Sequence, residues 1–256
     1  MTFEELYNHL LRRSLDGTMP EELNLTVQEG YDPHQLSCLL DPKKHPLVLR
    51  TDRCDCANEQ KEACKTACPF DALFLDGQGN VSVDELSCVG CGDCITNCKA
   101  KKLTESRDIL PALAAIHNAA TPVYAMIAPA FINQYSESVT PGKLLTAFKR
   151  IGFSGMVEVA LFADILTLKE ALEFDRNIRS EQDYQLTSCC CPMWIGMIRK
   201  VYSQLMPHVP ASVSPMAACG RAIKTLHPGA ITVFIGPCLA KKAEAREPDL
   251  SDSTDF

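Results

Sequence analysis

The stretch that decides the fold is CVGCGDCITNCK, residues 88–99, which has the spacing C-x2-C-x2-C-x3-C. Three closely spaced cysteines let one loop wrap a cubane iron-sulfur cluster while its backbone amides point at the sulfurs, and the fourth cysteine reaches a second cluster. The upstream stretch CDCANEQKEACKTACP, residues 54–69, again has three cysteines followed by one before a proline, although its C-x-C-x7-C start is longer. Together the two motifs predict a domain that holds two [4Fe-4S] clusters.

This spacing resembles that of the bacterial-type ferredoxins, in which the fourth cysteine of each motif crosses to the other cluster. The resemblance implies two ligand sets: Cys54, Cys56, Cys64 and Cys98 for one cluster, and Cys88, Cys91, Cys94 and Cys68 for the other. Lys99 stands where a proline commonly follows. A pair of four-cysteine zinc sites is the alternative, but the three-plus-one arrangement occurs twice and favours the clusters.

The composition narrows the class of protein. The chain has 256 residues, 46% of them hydrophobic, and a formal net charge of -7 at pH 7. The charge and the lack of a basic patch argue against a nucleic-acid partner. Neither a signal peptide nor a membrane span is apparent in the apolar pattern. We therefore expect a cytoplasmic protein whose 14 cysteines are mainly metal ligands rather than disulfides.

The chain is expected to have four parts. Residues 1–49 form a helical N-terminal segment, which opens with Thr2 and Glu5 in capping-box spacing. Residues 50–103 form the α+β, ferredoxin-type domain for two [4Fe-4S] clusters. Residues 104–120 form a connecting helix with Pro111 in its first turn. Residues 121–256 alternate apolar runs with helical patterns, which predicts an α/β domain with a largely parallel sheet.

Two thiol motifs lie at predicted strand ends of this last part, where the active sites of such sheets cluster. They are TSCCCPMW, residues 187–194, and IGPCLAKKAEA, residues 235–245. A buried run of small apolar side chains is the alternative for three adjacent cysteines, since a free thiol packs as a small hydrophobe. For Cys38 and Cys219, which stand alone, packing in the core is the expectation.

Both motifs resemble signatures of the FeFe hydrogenases, usually written TSCCPxW and MPCxxKKxE. The stretches IAPA (127–130) and ADILTLKEALEF (163–174) are similar to other parts of the same catalytic domain. That family carries the H-cluster, a [4Fe-4S] cubane joined through a cysteine sulfur to a two-iron centre with CO and cyanide ligands. The resemblance implies Cys191 and Cys238 as cubane ligands and Lys241 as a donor to an iron-bound cyanide. It also implies that the backbone around Pro129 and Ala130 cradles the two-iron centre.

A proton path is implied in the same way. Glu170 and Glu173 match acidic positions of the family's path, and their i, i+3 spacing places both on one helix face; solvent-facing glutamates are the alternative. A serine of the path aligns with Pro210. We align the cysteine run on its right edge, CCPMW, because Pro192 fixes the backbone after the ligand. Cys190 is then the proton-relaying thiol, Cys191 the ligand, and Cys189 a packed apolar group.

The expected activity is that of an iron-sulfur oxidoreductase that interconverts protons and electrons with H2, with a ferredoxin or similar carrier as electron partner. The family's third signature, with two more cysteines, is absent from the sequence, so we expect a piece of a longer hydrogenase with an exposed sheet edge beside ITVFIGP and no activity of its own. Two alternatives stay open. One is a hydrogen- or redox-sensing regulator, and the other is a two-cluster electron carrier.

Overall fold

The structure of the protein is a computed structural model, and it describes residues 1–19, 30–118, 120–186 and 190–256. The chain divides into two units, Met1–Ala115 and Ile116–Phe256. The division falls inside a helix of the 104–120 segment that was expected to connect the two domains. The expected role of Cys189 concerns a position outside the described residues.

The first unit alternates short helices with short strands. Its helices are α1 (Phe3–Leu15), α2 (Pro33–Leu40), α3 (Asn58–Thr66), α4 (Asp93–Thr96) and the start of α5 (Ile109–His117), with a 3₁₀ helix at Pro42–Lys44. Its strands are β1 (Val48–Arg50), β2 (Leu73–Leu75), β3 (Val81–Val83) and β4 (Leu103–Glu105). Two antiparallel pairs result, β1 with β4 and β2 with β3.

The N-terminal helix begins as the sequence predicts. The Thr2 hydroxyl accepts a hydrogen bond from the Glu5 backbone N–H at 3.3 Å, and the Glu5 carboxylate accepts one from the Thr2 N–H at 2.8 Å. The predicted capping box is therefore confirmed. The apolar face of α1 packs against α2 and the start of α5 in one core cluster, formed by Phe3, Leu6, Leu10, Leu36, Cys38, Leu39, Leu49 and Leu110.

The second unit has a three-stranded parallel sheet, which confirms the prediction of a mixed α/β fold with parallel strands. Its strands are β5 (Val123–Ile127), β6 (Gly155–Glu158) and β7 (Ile231–Ile235), in the order β6-β5-β7. Its helices are α6 (Pro141–Ile151), α7 (Ala160–Asn177), α8 (Pro192–Lys200), α9 (Pro215–Leu226) and α10 (Ala240–Ala245). Short 3₁₀ helices lie at Pro129–Phe131, Ser203–His208 and Pro248–Leu250.

Local sequence explains the ends of these helices. Thr140 and Ser214 cap α6 and α9 by accepting hydrogen bonds from Lys143 and Ala217 backbone N–H groups, and a proline follows each cap. Gly152 ends α6 with a φ of 120°, a conformation that an L side chain resists. The central strand β5 is buried along most of its length, with Ala125 and Met126 fully inaccessible, as a parallel strand covered on both faces should be.

The expectation of an exposed sheet edge beside ITVFIGP is wrong. The last residues of the chain run alongside β7, where the Asp255 and Phe256 N–H groups donate to the Thr232 carbonyl at 3.0 and 3.1 Å. The Phe234 N–H donates in turn to the Phe256 carbonyl at 2.6 Å. This segment satisfies the backbone groups that an edge strand leaves unpaired.

Among the helices that the structure describes, none combines the length and the apolar character that a membrane crossing requires.

Candidate functional site

All eight cysteines of the two N-terminal motifs line one cavity of about 270 Å³ in the first unit. The rest of its wall is mainly apolar and includes Phe70, Leu73, Val81, Val83 and Leu103. An apolar wall around a dense group of thiols limits the access of solvent to thiolate-bound iron. The cavity is the strongest candidate for a cofactor site in the first unit.

The two antiparallel pairs explain why the motifs meet. In the β2–β3 hairpin Leu73 pairs with Val83, so Cys68, just before β2, and Cys88, just after β3, emerge at the same end. In the β1–β4 pair Arg50 pairs with Leu103, and this brings Cys54, just after β1, to Cys98, just before β4. The ladders thus carry the last cysteine of each motif to the first cysteine of the other.

The electrostatics of the thiols divide them into the same two groups. The pKa of Cys56 is raised by burial, by a hydrogen bond with Cys54, and by the nearby thiols of Cys54, Cys64 and Cys98. Burial, followed by the thiols of Cys88, Cys91 and Cys68, raises the pKa of Cys94 to about 12. These are the two sets that the ferredoxin-like crossing implies. The ligand roles themselves stay a prediction.

Two backbone contacts hold the cysteine loops in place. Asn80 is 1% exposed, and its side-chain oxygen accepts a hydrogen bond from the Cys54 N–H at 3.1 Å. Asp76 fixes Asn80 by accepting from its N–H at 2.9 Å. On the other loop, the Lys102 N–H donates to the Cys98 sulfur at 3.4 Å, the kind of contact that favours a thiolate. The role of Asn80 was missed, because the sequence indicated only a turn there.

Cations also line the cavity: Arg50, Lys99 and Lys102. Nε of Arg50 is buried and has no hydrogen-bond partner among the described residues. Nη2 of the same side chain donates a hydrogen bond to the Asp76 carboxylate at 3.1 Å. A buried donor of this kind calls for an acceptor, and two cubanes with four thiolates each would bring negative charge to the cavity. The donor set, the apolar wall and these cations therefore fit two [4Fe-4S] clusters.

A second group of candidate residues lies at the carboxyl edge of the parallel sheet. The 3₁₀ helix that contains Pro129 and Ala130 directly follows β5, and Cys238 follows β7. Gly236 lets the two strand ends approach, because a Cβ at this position would lie 2.9 Å from the Ala128 Cβ. Pro129, Ala130 and Cys238 are all exposed at this edge, as a cofactor surface would require.

Lys241 joins the two hydrogenase-like motifs. Its ammonium donates to the Cys190 carbonyl at 2.8 Å and forms an ion pair with Glu244 at 2.8 Å. The Lys241 side chain is only 13% exposed, so it is not a solvated surface lysine. Glu244 was missed, although it occupies the final glutamate of the GPCLAKKAE signature.

Cys191 precedes α8 directly and occupies its N-cap, with Pro192 as the first helical residue. Cys190 is exposed, Cys191 is half-buried, and Cys219, a residue of α9, is fully buried in the core. The expected packing role of Cys219 is therefore confirmed. Of the four thiolates that the resemblance requires for an H-cluster, the described residues include the two predicted ones, Cys191 and Cys238, and their role as ligands stays a prediction.

The two glutamates of the implied proton path lie on α7 and are half-buried. The Glu173 carboxylate accepts a hydrogen bond from the Ala211 N–H at 3.2 Å, next to Pro210, where the family's serine is missing. The neighbouring Lys169 ammonium donates to the Ala211 carbonyl at 3.1 Å. Solvent is thus not the sole partner of Glu173. The participation of Glu170 and Glu173 in proton transfer stays a prediction.

The fold and these thiol motifs point to a hydrogenase-like iron-sulfur protein, and a comparison with known families agrees. Residues 121–256 match the family described as iron only hydrogenase large subunit, C-terminal domain. Because the match covers more than half of the chain, the chain belongs to this family.

Similar proteins come from two functional groups. Iron hydrogenase 1 of Clostridium pasteurianum is 30% identical over 139 residues, which are 51% of this chain and 24% of the relative. The NADP-reducing hydrogenase subunit HndD of Solidesulfovibrio fructosivorans is 23% identical over 254 residues, which cover 88% of this chain and 43% of the relative. Cytosolic iron-sulfur assembly component 3 of Bos taurus is 28% identical over 198 residues, which cover 67% of this chain and 41% of the relative. The chain spans less than half the length of each relative.

Proposed function

We propose that this chain carries two [4Fe-4S] clusters in its first unit and is part of a hydrogenase that interconverts protons and electrons with H2. The observation that carries the proposal is the cavity that all eight cysteines line, joined in one chain to a hydrogenase-family domain. Two clusters bound close together form an electron conduit. A ferredoxin or similar carrier is the electron partner that we propose.

In the second unit the residues of this chain would hold part of an H-cluster. When bound, that group supplies the metal centre at which H2 is formed or split. Cys191 and Cys238 provide two thiolates, and the backbone at Pro129 and Ala130 lies at the same sheet edge. The Lys241 ammonium, already held by Glu244 and the Cys190 carbonyl, is a charged donor placed between the two motifs.

Anaerobic reconstitution of the 256-residue chain tests the first part. Two clusters correspond to about eight iron and eight sulfide ions per chain, with visible absorption that bleaches on reduction. Cys94→Ser should lose about half of the iron, whereas Cys219→Ala, which removes a packed core thiol, should keep all of it. Zinc in place of iron, or equal iron loss in both variants, would contradict the cluster assignment.

Assay of the full-length protein, with its cofactor inserted, tests the second part. We expect H2 turnover and infrared bands from metal-bound CO and cyanide. Cys190→Ser should keep these bands and lose most turnover, because a serine hydroxyl exchanges protons far less readily than a thiol. Cys191→Ser should disturb the cubane itself. The opposite pattern, with cluster loss in Cys190→Ser, would favour an alignment on the left edge of the run, TSCC, in which Cys190 is the cubane ligand.

A role in iron-sulfur cluster assembly is the second candidate, and the similarity to the assembly component of Bos taurus favours it. The two candidates differ in observable ways. An assembly protein should contain the clusters of the first unit, show neither H2 turnover nor CO and cyanide bands, and restore iron-sulfur enzymes in cells that lack the assembly component. Hydrogen turnover without such rescue would decide for the hydrogenase.

A further inference from the structure

A group of metal-ligating side chains lies in the first unit away from the eight-cysteine cavity. His34 and Cys38 are one turn apart on α2, so both project from the same face. The chain then turns through the 3₁₀ helix Pro42–Lys44 and returns His45 to that face. One ligand atom from each of His34, Cys38 and His45 lies within 4.8 Å of the other two.

From this arrangement we propose that His34, Cys38 and His45 form a zinc site. Zn²⁺ binds both thiolate sulfur and imidazole nitrogen, and a site with three protein ligands leaves the fourth tetrahedral position for water. The proposal is independent of the hydrogenase assignment. The sequence signal that could have found it is the H-x3-C spacing on a predicted helix, followed by a histidine after a turn.

The distances agree with this metal. Tetrahedral zinc, with a Zn–S bond of about 2.3 Å and a Zn–N bond of about 2.0–2.1 Å, separates sulfur and nitrogen ligands by about 3.6 Å. The Cys38 sulfur lies 3.8 Å from Nε2 of His34. The two imidazole rings are not stacked but meet edge to face, at 81° and 5.4 Å between centroids, so their nitrogens can converge on one point.

A neighbouring hydroxyl orients the second histidine. Nε2 of His45 lies 2.8 Å from the Ser37 hydroxyl. When this nitrogen donates its hydrogen to the hydroxyl, Nδ1 keeps the lone pair that a metal ligand needs, and such a contact to the second ring nitrogen is usual for metal-binding histidines. Ser37 adjoins Cys38 on α2, so one helix supplies two ligands and the residue that orients the third.

The burial of the three side chains leaves an entry path. Cys38 is 3% exposed and packs in the core cluster, His45 is half-buried, and His34 is exposed. The metal would therefore sit at the boundary of the core, with its open position toward solvent. Burial, together with the carboxylate of Asp32, raises the pKa of Cys38 to about 11. Zinc binding at neutral pH must accordingly release the thiol proton to solvent.

The test uses the 256-residue chain after its iron-sulfur clusters have been assembled, so that iron occupies the eight cavity cysteines. Co²⁺ serves as the probe because it replaces zinc and gives visible bands in a tetrahedral site and a near-ultraviolet band with a thiolate. We expect one Co²⁺ per chain with both features, displaced by Zn²⁺. His34→Asn and His45→Asn should each lower Co²⁺ affinity at least 100-fold.

His117→Asn is the matched control, since this exposed histidine of α5 is not one of the three grouped side chains and should leave cobalt binding unchanged. Cys38→Ala should remove the near-ultraviolet band. Because Cys38 is part of the core, His34→Asn provides the decisive comparison if Cys38→Ala does not fold. Equal cobalt binding in wild type, His34→Asn and His117→Asn would overturn the proposal, and so would a cobalt spectrum without the thiolate band.

Discussion

Replacing Gly220 with alanine should destabilise the second unit. Gly220 lies in the middle of α9, and a Cβ there would be 1.9 Å from the Ser253 carbonyl oxygen and 2.6 Å from its carbonyl carbon. Both atoms belong to the backbone, so no side-chain rotation can relieve the contact. The segment that follows Ser253 must move away from α9, and this segment pairs with β7.

The size of the effect follows from what that movement breaks. The segment forms three backbone hydrogen bonds with β7, to Thr232 and Phe234, and the Thr232 hydroxyl donates to the Ser253 carbonyl at 2.9 Å. At about 1 kcal/mol each these bonds contribute about 4 kcal/mol. Alanine returns about 1 kcal/mol through its better helix propensity. The net loss in the free energy of unfolding should be about 3 kcal/mol.

Urea unfolding followed by tryptophan fluorescence measures this loss, since Trp194, the single tryptophan, lies in the second unit. The matched control is Gly142→Ala in α6, where the nearest atom to the added Cβ is the Thr140 hydroxyl at 4.0 Å. This variant should be unchanged or more stable by up to about 1 kcal/mol. Equal stability of the two variants would refute the reasoning, as would unchanged hydrogen exchange at the Phe234 amide.

Three further outcomes are expected. Asn80→Ala leaves the Cys54 N–H without its acceptor, which should lower the stability of the first unit by about 1–3 kcal/mol. Iron analysis should show slower cluster assembly than in wild type, and an unchanged rate would contradict the role of Asn80. Glu244→Ala leaves the largely buried Lys241 ammonium without its carboxylate and should lower the free energy of unfolding by about 3 kcal/mol. The double variant Lys241→Met/Glu244→Leu should recover most of this loss. Tryptophan fluorescence in urea measures both variants, and a double variant whose loss equals the sum of the two single losses would exclude the ion pair. Burial raises the pKa of Cys219 from 9.0 to about 12, so the folded unit holds this proton more tightly than the unfolded chain. Its contribution is complete below about pH 9 and falls by about 1.4 kcal/mol per pH unit between about pH 9 and 12; the same fluorescence assay should show this fall, and Cys219→Ala should lack it.

The parts of the fold that the sequence predicts are those with local signals. The capping box at Thr2 and Glu5 and the apolar runs of β5 and β7 each depend on residues that lie close together in the sequence. The strand β6 was not predicted individually. All four of its residues, Gly155–Glu158, are half-buried, so no continuous apolar run or clean alternation marks it.

The contacts that were missed join residues far apart in sequence. The pairing of the chain end with Thr232, the ammonium of Lys241 against the Cys190 carbonyl, and the return of His45 to α2 each depend on the tertiary path of the backbone. Spacing rules contain no information on such contacts. The low exposure of Lys241 agrees with the donor role that the resemblance implies for it, but its partner Glu244 was not predicted.

The two cysteine motifs depend on both local and long-range structure to bring four thiols together. Spacing within a motif sets three thiols around a loop, which is why those cysteines can be recognised in the sequence. The fourth thiol of each set comes from the other motif, and its position depends on a strand pair: β2 with β3 for Cys68, and β1 with β4 for Cys98. Each ladder is only three residues long, so few hydrogen bonds hold either pair together. The thiol–iron bonds of a cluster would therefore add cross-links at the open end of each ladder, and cluster binding and folding of the first unit should be coupled.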